Sequence, residues 1–187
     1  MEIKELNENE VKSIYKNHLK KDFPRNERRG LKNILNIIAA GHYAAYGLFE
    51  VDTLYGYAFF VKTGNDYLLD YFAAVSGKRG QGIGTEFLRL LKEKLRDANS
   101  IMLESEAPDE TVSAEENTVR KRRISFYLRS GFTDSGVRAR TFGVDYVLMT
   151  FSPDTDLSSE DIKRLYLRHY KAMLPEVILK KAVRITE

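Results

Sequence analysis

The chain has 187 residues, 43% hydrophobic and 30% charged, with thirty Lys and Arg against twenty-seven Asp and Glu and no cysteine. This suits one globular domain with an appended element, and the missing cysteine excludes disulfides, thiolate metal sites and a cysteine nucleophile. A formal charge of +3 is too weak a field to name a nucleic acid as partner, and no stretch approaches the roughly 18 apolar residues of a membrane span.

Two helical patterns open the chain, one from about Glu8 to Lys20 and one from about Arg25 to Ala40, with Gly41 as a stop. The period then changes to two. "YAAYGLFEV", "TLYGYAFFVK" and "YLLDYFAAV", separated by Asp52 and by Gly64-Asn65-Asp66, predict an antiparallel meander. Ile83, Phe87, Leu90, Leu91 and Leu95 fall at helical spacing, and "SIMLESE" follows as a strand, parallel to the one before the helix because a helix crosses between them. A polar loop from Ala107 leads into a helix running through "RKRRISFYLRS" to Gly131, and "ARTFGVDYVLMTF" adds two strands. After Pro153 a last helix is capped by Ser158 with Asp161 three residues on, and carries Leu165, Tyr166, His169 and Met173 on one side. His18, His42 and His169 are scattered without metal-ligand spacing, so no metal is expected.

The strand-to-helix junction "KRGQGIGTEFLRLLKEKL", Lys78 to Leu95, carries three alternate glycines behind two cations. A turn poor in side chains at a helix start lets backbone N–H groups converge on an anion. Gln81 and Thr85 add side-chain donors and Arg79 adds charge, so a pyrophosphate is a natural guest. The plain alternative is a tight strand-to-helix turn. A Walker loop is excluded because Gly77 and Gly82 are followed by Ile83 rather than lysine. A dinucleotide fold is disfavoured because antiparallel strands precede the turn.

"RGQGIG" resembles the acyl-CoA-binding motif R/Q-x-x-G-x-G/A of the GNAT superfamily of N-acetyltransferases, matched at Arg79, Gly82 and Gly84. "RRISFYLRSGF" resembles that superfamily's second signature, with Tyr127, Gly131 and Phe132. The resemblance runs from about Glu2 to Phe151. It implies an α+β fold: a GNAT-like mixed, mostly antiparallel sheet with a splayed parallel strand pair flanked by helices, plus a C-terminal helix. Residues 1–152 would form the acyltransferase domain and residues 153–187 a helical extension packed on it.

The resemblance also implies a site. Acetyl-CoA, as cosubstrate, would lie against Phe72, Ala74 and Val75 at the end of the fourth strand and against Arg79, Gly80, Gln81, Gly82, Ile83, Gly84 and Thr85. The backbone N–H of Ala74, or of Val75 one place on, would face the acyl oxygen. Where many members carry Asn and Ala ahead of the tyrosine, this chain has Arg120 and Arg123, which would reach a phosphate instead. Tyr127 would return a proton to the departing sulfur. Glu104 and Glu106, on one face of their strand by alternation, are the candidate bases, directly or through water; the plain alternative is that both are surface carboxylates answering the basic run at Arg120 to Arg123. Asp70 is a weaker candidate with a structural role. These residues imply N-acetyl transfer to a primary amine of a small molecule or peptide, in the cytoplasm, with no nucleic-acid and no membrane partner. The alternative is a non-catalytic acetyl-CoA-binding sensor. The apolar side of the last helix suits its own domain or a second copy of the chain, leaving a homodimer open.

Overall fold

The computed structural model describes residues 1–153 and 156–186; Asp154, Thr155 and Glu187 of the expected extension lie outside them. The chain forms two compact units, Met1–Lys62 with Leu69–Arg96 and Thr63–Leu68 with Asp97–Glu187.

In the first unit, Glu2–Glu5 is a strand, β1, that the sequence reading does not contain. It is four residues long and only Ile3 is half-buried, too brief for alternation to register, and it exists because it pairs antiparallel with β2 (Tyr43–Glu50). The first helical pattern is realised as α1 (Glu8–Ile14), a π-helical turn (Tyr15–Leu19) and α2 (Lys20–Asp22). Asn7 caps its start in a reciprocal box with Glu10. The second pattern is shorter than expected, because only α3 (Leu31–Ala39) is an α-helix and Arg25–Glu27 is a single 3₁₀ turn. Pro24 stands ahead of that turn and Gly30, with extended dihedrals, ahead of α3. Gly41 ends α3 at φ 75°, as expected of a left-handed stop. The meander is completed by β3 (Thr53–Thr63), antiparallel to β2, and β4 (Asp66–Ala74), whose last six residues lie in this unit. Helix α4 (Ile83–Lys94) buries Ile83, Phe87, Leu88 and Leu91, and Phe87 stacks on Phe72 of β4 at 5.4 Å.

The second unit holds the first residues of β4, then β5 (Ser100–Glu106), α5 (Ala114–Arg129), and the hairpin β6 (Thr133–Thr141) and β7 (Val144–Phe151). Strand β6 starts six residues before the predicted point and is irregular between Asp134 and Arg138, a break that blurs its alternation. Helix α6 (Ser159–Met173) has the predicted Ser158–Asp161 capping box and buries Leu165, Tyr166, His169 and Met173. Beyond it, α7 (Glu176–Ala182) and β8 (Val183–Thr186), which pairs with β6, are further elements the sequence reading lacks. The strands follow the order β1-β2-β3-β4-β5-β7-β6-β8. This is a mixed α+β fold with a mostly antiparallel sheet and one parallel pair, β4 with β5. Among the described residues no helix is long and apolar enough to cross a membrane.

His169 is wholly buried in α6, with Nδ1 3.1 Å from Thr63 Oγ1 and Nε2 without a partner. Burial, reinforced by Arg168 and opposed by Asp66, pushes its imidazole down to about 4. The unfolded chain takes up a proton near pH 6.5 while the folded one refuses it until about pH 4. Stability is therefore full above pH 6.5 and falls by about 3 kcal/mol as the pH drops toward 4. Urea unfolding between pH 7 and 4 should show that slope, and His169→Asn should flatten it; an unchanged slope in the variant would remove His169 as its source.

Candidate active site

In the first unit, β4 runs into the glycine turn. The Val75 N–H donates to the Tyr55 carbonyl of β3 at 2.9 Å. Backbone groups of successive strand residues point to opposite edges, so the Ala74 N–H faces away from β3. Of the two candidate oxyanion donors, Val75 is already engaged and Ala74 is turned to the other edge. Gly80 and Gly82 have φ of 79° and 78°, a conformation that L-residues adopt rarely. A Cβ at either would meet nothing within 4 Å, so glycine is required there by the backbone and the space over the turn is open. Gly82 precedes α4 without any side-chain cap. The N–H groups of the first turn, over Ile83, Gly84 and Thr85, therefore have no cap, beside the positive end of the helix dipole.

Arg79 is held across this turn. Its Nη2 donates to Asp22 Oδ1 at 2.5 Å and its Nε to the Ala74 carbonyl at 3.3 Å, while Gln81 Nε2 donates to the Gly77 carbonyl at 3.3 Å. Asp22, its side chain only 7% exposed, also accepts from the Tyr57 hydroxyl at 2.9 Å, and burial with that carboxylate raises the phenol far above its ordinary pKa. Asp22 carries no motif, so nothing in the sequence marks it; only the fold brings it to Arg79. Asp70 has the structural setting expected of it, accepting from Arg29 Nε at 3.1 Å and from the Tyr43 hydroxyl at 2.5 Å.

In the second unit the two candidate carboxylates differ in their partners. Glu106 accepts from Arg123 at 2.8 Å and from Arg120 at 3.5 Å. Arg120, its side chain 12% exposed, also donates to Glu116 and to the Ala107 carbonyl, so Arg120 and Arg123 are both turned to a carboxylate of their own unit. Glu104 accepts from two phenols of α6, Tyr166 at 2.5 Å and Tyr170 at 2.8 Å, and Tyr166 is also hydrogen-bonded to Thr141 at 2.5 Å. These tyrosines lie more than sixty residues from Glu104, and the helical spacing marked Tyr166 only as apolar. Tyr127 sits buried beside Phe126 and Phe132, with ring centroids at 5.1 and 6.0 Å. Burial pushes its hydroxyl up to about 12 against the opposing charge of Arg123, so it stays protonated at neutral pH.

No protein-family model and no curated protein matches the sequence, but many solved structures match the fold. A protein from Bacteroides thetaiotaomicron assigned to the GNAT acetyltransferases superposes with a TM-score of 0.71 at 24% identity, over 91% of this chain and 95% of its own. The ribosomal-protein-S18-alanine N-acetyltransferase of Escherichia coli follows at 0.62, 17% identical, over 84% of this chain and 96% of its own. An aminoglycoside 6'-N-acetyltransferase complexed with coenzyme A gives 0.57, 17% identical, over 83% of this chain and 100% of its own. The chain has the GNAT fold. Within that fold, α6 adds two phenols to a strand carboxylate, a contact that no sequence motif announces.

Removing one of those donors takes a hydrogen bond away from a charged acceptor. Tyr170→Phe should lower unfolding stability by about 1.5–3 kcal/mol, the range for a hydrogen bond to a charged group, measured by denaturant titration at neutral pH. A change within a few tenths would show that Tyr170 does not hold Glu104.

Proposed function

We propose that this protein is an N-acetyltransferase that moves the acetyl group of acetyl-CoA to the primary amine of a small molecule or peptide, in the cytoplasm. The observation that carries the reading is the uncapped start of α4 behind Gly80 and Gly82, in a chain with the GNAT fold, several of whose other bearers are named acetyltransferases. The unpaired amides and Arg79 suit the pyrophosphate of CoA. Phe72, Ile83 and Thr85 flank the same arm of the cofactor in this assignment, and residues 1–152 carry the reaction, with 153–187 as an extension.

Each step has a residue. The acceptor arrives as an ammonium with a pKa of roughly 10.4 and gives a proton to Glu104, directly or through water. Glu106 suits the role less, because its oxygens already accept from two guanidinium groups. The neutral amine attacks the thioester carbonyl, and the developing oxyanion takes the Ala74 N–H. As the carbon–sulfur bond breaks, the sulfur leaves as thiolate toward the hydroxyl of Tyr127, which its raised pKa keeps in the donor form. Tyr127 gives that sulfur its proton, and the second proton lost by the nitrogen reprotonates the phenolate, so that the products are the amide and the CoA thiol. A second reading, an acetyl-CoA sensor without turnover, is favoured by one observation: both candidate bases are already bonded, Glu104 by phenols and Glu106 by arginines.

Thiol release from acetyl-CoA across a panel of amines, with a thermal-shift measurement on CoA, separates the two. Transfer predicts a shift and turnover, with Tyr127→Phe lowering kcat by about a hundredfold or more in a folded protein. A CoA shift without turnover on a broad panel would favour the sensor, and unchanged turnover in Tyr127→Phe would remove Tyr127 as the acid.

A further inference from the structure

Lys20, Arg25 and Arg28 line one cavity of about 490 Å³ in the first unit, together with Tyr15 and Gly30. None of the three cations meets a carboxylate among the described residues; the Arg28 side chain donates from Nε to the Pro24 carbonyl at 3.3 Å. Their neighbour Arg29 shows the contrast. It is paired with Asp70 at 3.1 Å, its N–H donates to the Tyr71 hydroxyl at 2.8 Å, and its carbonyl accepts from Tyr15 at 2.9 Å. Tyr71 also donates to the Glu27 carbonyl at 3.2 Å. These bonds pin the segment between Pro24 and Gly30 to the sheet, so Arg25 and Arg28 stand on a fixed wall.

Gly30, on the same wall, opens the nine-residue helix α3 with no side-chain cap and no acid in its first turn. Three like charges and the positive end of a helix thus face one concavity that no carboxylate among the described residues lines, an arrangement that an anion relieves. The glycine turn has separate donors for the cofactor, and it is tied to this region because Asp22, two residues after Lys20, holds Arg79.

We propose that this cavity takes the carboxylate or phosphate of the acceptor, so that the acceptor is an amine carrying an anionic group away from its reacting nitrogen. The inference rests on the acetyl-transfer reading and names the substrate class. Arg25 and Arg28 supply the forked donors that suit such groups, and Lys20 a point charge.

The test uses the full chain loaded with CoA. It is titrated with 4-aminobutyrate and O-phosphoethanolamine, with butylamine and ethanolamine as counterparts lacking the anion, and with putrescine. Binding is read at the backbone amides of Gly30, Leu31 and Lys32 by NMR, and transfer by thiol release from acetyl-CoA. At least one anionic amine should bind about tenfold or more tighter than its counterpart, and the pair shows whether carboxylate or phosphate is preferred. Arg25→Gln with Arg28→Gln should erase that preference, with the Kd for CoA unchanged. Equal or tighter binding of butylamine, ethanolamine or putrescine overturns the proposal, as does an anion preference that survives the double variant or a double variant that weakens CoA instead. Failure of CoA to bind the wild-type protein is a separate result, which removes the acetyl-transfer reading and this assignment with it.

Discussion

The first backbone amides of α4 have no partner inside the helix, and Gly82 brings no side chain to cap them. The rest of the first unit is arranged around that opening. Gly80 and Gly82 reach it at positive φ, a conformation that costs an L-residue about 1–2 kcal/mol. Strand β4 leads into it with the Val75 N–H spent on β3, and Asp22 reaches over from α2 to hold Arg79 beside it. Together they leave several backbone donors open at the positive end of a dipole, with Arg79 held beside them by Asp22. An anion is the common solution, and the pyrophosphate of CoA is the one proposed for it.

Charge is divided unevenly among the arginines, and the division is informative. Arg29 and Arg120, 13% and 12% exposed, are paired with half-buried carboxylates and serve the fold; a buried guanidinium without such a partner would be strongly destabilising. Arg25 and Arg28 have no such partner among the described residues and line a cavity. In the second unit Glu106 answers two arginines while Glu104 answers two phenols. Phenols are neutral donors, so they orient Glu104 without adding positive charge, whereas the arginines bring two guanidinium groups to Glu106.

Much of this was legible in the sequence. The alternating glycines before an apolar period, the aromatic meander, the helix ending at Tyr127 and Gly131, and the Ser158 cap all depend on residues close together in the chain, where spacing carries the signal. The missing parts depend on distant partners. Strands β1 and β8 are four residues each and exist through pairing with β2 and β6. Asp22 meets a residue 57 positions away and Glu104 meets two that lie 62 and 66 away. Of the two roles open to Arg120 and Arg123, reaching a phosphate or answering the strand carboxylates, the structure shows both bonded to Glu106, and only the fold brings that pairing about.

Calorimetric titration of the protein with CoA and with pantetheine, which lacks the pyrophosphate, tests the central claim most directly when repeated on Gly82→Val. The account predicts that CoA binds the wild-type protein far more tightly than pantetheine and that Gly82→Val removes most of the difference while the protein stays folded. Equal binding of the two ligands, or an undiminished preference for CoA in Gly82→Val, would contradict it.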